Sequence, residues 1–124
     1  MDRKFLLTAF IYGLLGLLLG IAMAASKNHT QLPTHAHLLL LGFVVSVLYG
    51  IFHKVWLDYE GTLLSHIQFW LHQLGVVGIS LGLFVLYGGF TARKSIEPLL
   101  GGASVITLVA FVLMGWMLLR QARK

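Results

Sequence analysis

Four long runs of the chain, 5–26, 28–53, 61–92 and 98–119, contain no Asp, Glu, Lys or Arg. Each exceeds the roughly 20 residues that carry a helix across a hydrocarbon core about 30 Å thick. The pattern predicts an all-α membrane protein, a bundle of four transmembrane helices at about 5–26, 33–54, 61–90 and 97–119, forming one domain over residues 1–124. Short polar connections at 27–31, 54–60 and 91–97 separate the helices. Pro33 and Pro98 fall at or near the starts of the second and fourth helices, where a missing N–H costs nothing. Asp58, Tyr59, Glu60 and Gly61 suggest a turn between the second and third. The first run, preceded by Asp2, Arg3 and Lys4, also has the look of a secretory leader. Its apolar stretch is longer than the roughly 7 to 15 residues of a leader's apolar region, so it is read as a retained span.

Small residues are patterned inside these runs. Gln68, Gly75, Gly82 and Gly89 recur at seven-residue intervals, and Gly13, Gly16 and Gly20 form a similar strip in the first helix. Such faces let membrane helices approach closely, and they also leave room for a flat cofactor. At about 100° per residue, His35, Leu39, Gly42, Ser46, Tyr49 and His53 lie within about 40° of one line. That face, small or polar at most positions, is expected to look into protein. His37 lies about 200° away beside Leu41, Val44, Leu48 and Ile51, facing another helix, another subunit or lipid.

Composition agrees with the membrane reading: the 124 residues are 58% hydrophobic and 10% charged, with a mean hydropathy of +0.87. The net charge of +5 matters through its distribution. Arg3, Lys4, Lys54, Arg120, Arg123 and Lys124 fall on one side of the predicted bundle, Lys27, Arg93 and Lys94 on the other. By the positive-inside rule both termini are cytoplasmic and the protein is multi-pass in the inner, cytoplasmic membrane. No basic cluster resembles a nucleic-acid footprint, and no nucleic-acid partner is expected. Cysteine is absent, which removes disulfides and thiolate metal sites.

Histidine is therefore the strongest ligand available. Five of the six lie in or beside the apolar runs: His35, His37, His53, His66 and His72. Ionisable groups are rare in hydrocarbon unless they pair, line a cavity or hold a cofactor. His35 and His37, two apart on a helix, cannot easily grip one ion, so they would serve sites on opposite sides. His72 is the deepest, roughly 16 Å from the boundary at Gly61. His53 and His66 come at similar depth near that same cytoplasmic boundary, either as interfacial residues or as a shared ligand pair; His29 reads as a solvated loop residue. Each membrane histidine also has a plain alternative, a hydrogen bond within or between helices.

The segment Thr34-His35-Ala36-His37, with Gly42, Gly50, His53 and Trp56 after it, resembles the tenth helix of subunit I of the heme-copper oxidases. There an H-x-H pair opens the helix and its histidines ligate two hemes on opposite faces. By that resemblance His35 matches the high-spin ligand and His37 the low-spin ligand. Phe69-Trp70-Leu71-His72-Gln73-Leu74-Gly75, taken with the H-x-H segment, looks like small four-helix membrane proteins grouped with that subunit. The likeness covers the second and third helices. The glycine spacing after the pair is one residue shorter here. Neither the adjacent His-His pair nor the His-Tyr arrangement that holds the oxidase copper is visible, so copper and oxygen reduction by this chain alone are not expected. The oxidase subunit has rough threefold symmetry, as if built from three four-helix units, which implies a homotrimer; a homodimer with heme between His37 and His72 is the alternative.

Together these readings give a heme-b membrane protein with cofactor and metal ligands among His35, His37 and His72, suited to electron transfer or to binding heme or a gas ligand. A quinol or a membrane redox protein would fit as electron donor. No catalytic residue is assigned. The alternatives are a histidine site for copper or zinc binding or transport, and a structural membrane subunit whose histidines are hydrogen-bonded. Heme ligation requires a porphyrin-sized slot beside the rings.

Overall fold

The computed structural model describes residues 1–57 and 62–122, the side chain of Ala122 excepted. The expected turn at Asp58 to Gly61, together with Arg123 and Lys124, lies outside the described residues. Four helices account for nearly all of the rest: α1 (Asp2–Ser26), α2 (Leu32–Val55), α3 (Leu63–Tyr87) and α4 (Arg93–Ala122). All four are long and apolar enough to cross a membrane.

Helix ends depart from the apolar pattern for local reasons. Thr62 caps α3 by accepting a hydrogen bond from Ser65 N at 3.3 Å, which sets the start at Leu63. The far end stops at Tyr87 because Gly88 and Gly89 come next, the latter at a φ of 74°. Helix α4 begins at Arg93, one turn before the expected position, and carries Pro98 inside it. Hydropathy marks the part of a helix that lies in oil, whereas backbone bonding continues through the polar residues beyond it.

Packing is set by the small residues. On α1, a Cβ at Gly16 would lie 2.8 Å from Leu39 Cδ2; on α2, a Cβ at Gly42 would lie 2.6 Å from Tyr12 Cβ. Helix α3 approaches α4 in the same way, with Gly78 against Ala103 and Gly82 against Leu100. Within the helices the two glycine strips are therefore occupied by neighbouring side chains and bring the helices together, while Gly89, beyond the end of α3, has open space where a Cβ would be. Near the end that holds both termini, Phe5 of α1 is the centre of a cluster with Tyr49, Leu57, Phe69, Met114 and Met117.

Helix α2 is not uniform. Its first turns, Leu32–His37, and its last part, Val45–Val55, are α-helical, and Leu38–Val44 between them is π-helical. A π stretch widens the helix and rotates the turns beyond it about the axis; such stretches are frequent at functional sites.

Candidate functional site

Pro33 enters the first turn of α2 and fixes its φ, so His35 and His37 occupy regular helical positions immediately before the π-helical stretch. The end of α2 is tied to α3. Thr34 Oγ1 donates to Gln31 Oε1 at 2.7 Å, and Gln31 Nε2 donates to the carbonyl of Phe84 at 3.0 Å.

The His35 ring crosses to α1. Its Nδ1 lies 2.7 Å from the carbonyl oxygen of Gly16, and the ring covers Gly20, where a Cβ would fall 2.8 Å from Cε1. The His37 ring turns back on its own helix, with Nδ1 2.7 Å from the carbonyl oxygen of Pro33. Both residues are half-buried. A carbonyl can only accept, so each of these bonds requires the proton on Nδ1. Nε2 is then the lone-pair nitrogen in both rings, and among the described residues nothing hydrogen-bonds it. This is the form in which histidine ligates metals, with a carbonyl behind the ring fixing tautomer and orientation. His37 is half-buried, and on the same helix Leu40, Val44, Leu48 and Ile51 are exposed.

His72 is elsewhere. It is 0% exposed, with Nε2 2.9 Å from Ser46 Oγ and the Leu41 carbonyl of the π-helical stretch close to the ring. Tyr49 and Phe5 pack on it, with ring centroids at 4.9 and 5.9 Å. Its Nδ1 is buried with no partner among the described residues. The arrangement joins α2 to α3 through a hydrogen bond inside the bundle.

The structure therefore does not bring the three histidines together within one chain. His35 faces α1, His37 sits on the half-exposed face of α2, and His72 is sealed in the core. His53 and His66 also separate. His53 is 4% exposed and stacks on Phe5 at 5.5 Å, while His66 is half-buried and lines a shallow apolar cleft with Ile67 and Trp70. His29 is exposed, as read from the sequence. Among the described residues no group of three or more His, Asp or Glu side chains is placed to hold a metal ion.

An apolar cleft of about 490 Å3 lies between α1, α2 and α3, lined among others by Leu15, Leu19, Leu38 and Phe84. None of His35, His37 or His72 lines it. The donor chemistry of His35 and His37 fits heme iron, but neither ring lines the cleft inside one chain, although their neighbours Thr34 and Leu38 do.

A polar contact that the sequence pattern did not flag completes the interior. Tyr12 OH donates to Gln73 Oε1 at 2.5 Å, and Gln73 Nε2 donates to Thr8 Oγ1 at 3.3 Å, tying α1 to α3. The available signal was Gln73 itself, an amide in the middle of an apolar run that must find a partner in oil.

No protein-family model, curated protein or solved structure matches the chain.

Proposed function

We propose that this protein is a heme-b-binding membrane protein, related in design to subunit I of the heme-copper oxidases, whose iron ligands are His37 and His35 at contacts between copies of the chain. The observation that carries the reading is the pair of carbonyl bonds to Nδ1, from Pro33 and Gly16, which turn both imidazoles into Nε2 donors. His37, half-buried above an exposed apolar face, is the principal ligand. Because the large cleft within one chain excludes these histidines, the porphyrin lies against that face and is covered by a second copy. A homotrimer matches the threefold arrangement implied by the oxidase resemblance. The excess of basic residues at the end holding both termini supports cytoplasmic termini in an inner membrane.

When bound, heme b supplies one-electron chemistry, and two imidazole ligands favour electron transfer over ligand activation. The chain's own contributions are neutral imidazoles, a fixed ring orientation and an apolar face that excludes water. In this reading His72 does not ligate; it holds α2 to α3. A quinol or a membrane redox protein is the proposed electron donor.

The test is substitution. His37→Ala is expected to remove most of the heme absorbance of the purified protein, and His66→Ala to leave it intact. An unchanged spectrum for His37→Ala would retire that residue as a ligand. A second reading, a structural subunit whose histidines join helices, is favoured by the bond from His72 to Ser46 and the bond from His35 to Gly16 across α1 and α2. It predicts a colourless protein that loses stability when those residues are replaced.

A further inference from the structure

We infer that the groove between the start of α1 and the end of α2 is a binding site for one anionic phospholipid. The groove encloses about 310 Å3, with Leu6, Gly50, Ile51 and Val55 among its walls and Arg3 and Lys54 at its rim. Gly50 lets the helices close tightly there: a Cβ on it would sit 3.2 Å from the Asp2 carbonyl oxygen and 3.3 Å from Leu6 Cγ. Arg3 and Lys54 are exposed, and neither side chain has an ion-pair or hydrogen-bond partner among the described residues. One cation comes from each helix, so the two converge on the same space only because the hairpin folds.

Asp2 also lines the groove. Its carboxylate accepts from Arg3 N at 2.8 Å and stands 3.8 Å from the N-terminal ammonium, so its charge is already engaged. The remaining chemistry is a pair of unpaired cations above an apolar slot. Exposed Trp56, two residues beyond Lys54, places this level of the bundle at the membrane–water boundary. A lipid phosphate meets the two cations there while an acyl chain lies along Leu6, Ile51 and Val55. Basic pockets between membrane helices recognise anionic headgroups in this way. A zwitterionic headgroup brings its own ammonium toward Arg3 and Lys54 and is disfavoured.

The test uses the full chain in neutral detergent, titrated with phosphatidylglycerol or phosphatidylcholine of identical acyl chains and followed by native mass spectrometry. Phosphatidylglycerol should occupy one site per chain at concentrations roughly tenfold below phosphatidylcholine. Arg3→Gln with Lys54→Gln should abolish that preference, and Arg93→Gln with Lys94→Gln should keep it. The charge-preserving pair Arg3→Lys with Lys54→Arg should also keep it, which separates loss of the site from loss of the fold. Equal binding of the two lipids, or a preference that survives the Arg3/Lys54 double neutralisation, would overturn the assignment. So would displacement of the lipid by millimolar glycerol phosphate, since that outcome assigns the cations to a soluble anion.

Discussion

At residue scale the deciding detail is which nitrogen of each histidine is committed. For His35 and His37 the carbonyls of Gly16 and Pro33 hold Nδ1, and Nε2 is left as donor. For His72 the engaged atom is Nε2, on Ser46, inside a cage of aromatic rings. Removing that hydroxyl tests the structural role directly. Ser46→Ala should destabilise the bundle by about 1 kcal/mol, in the range of interhelical hydrogen bonds in membranes, as read by unfolding in mixed detergent, and should leave any heme spectrum in place. A lost spectrum with unchanged stability would show that His72 works on the cofactor instead. The residue types of the candidate site stand out in the sequence, because imidazoles in an apolar run are set against the cost of burying them. Their partners do not. Gly16 and Pro33 act through backbone carbonyls, which no side-chain pattern encodes.

At element scale the four spans were legible because charge-free runs of sufficient length admit little else. The stripe on α2 was also largely right: Gly42, Ser46, Tyr49 and His53 are buried, and Val44, Leu48 and Ile51 are exposed, whereas Leu41, expected on the outer face, packs against the cluster of Tyr12, Leu38 and Val76. The π-helical stretch at Leu38–Val44 was not legible. The stretch holds no proline, and Gly42, its one poor helix former, reads from sequence as a packing position, which its close approach to Tyr12 bears out. The glycine strips were read as either packing or cofactor space, and within the helices, at Gly13, Gly16, Gly20, Gly75 and Gly82, neighbouring side chains fill them. Gly42→Leu should therefore separate α1 from α2 by driving a side chain into Tyr12, at a cost of about 1–3 kcal/mol. Gly101→Leu on α4, where a Cβ meets nothing within 4 Å, should be close to neutral in the same unfolding measurement. Equal effects at the two positions would contradict the packing described.

At the scale of the whole molecule, the separation of the histidines decides the architecture. His72 is enclosed, His35 faces α1, and the apolar cleft between α1, α2 and α3 is lined by none of these rings. In the proposed function, heme binding through them takes a second copy, docked on the exposed residues Leu40, Val44, Leu48 and Ile51. Native mass measurement in detergent is expected to return three chains with bound heme; a monomer that retains its heme would reject sites between copies. The most direct test of heme binding is the absorption spectrum of the purified chain, oxidised and then reduced. The expected result is a red protein with a Soret band and, on reduction, the α band of a b-type heme. A colourless protein that is folded and fully assembled in a heme-sufficient host would contradict it.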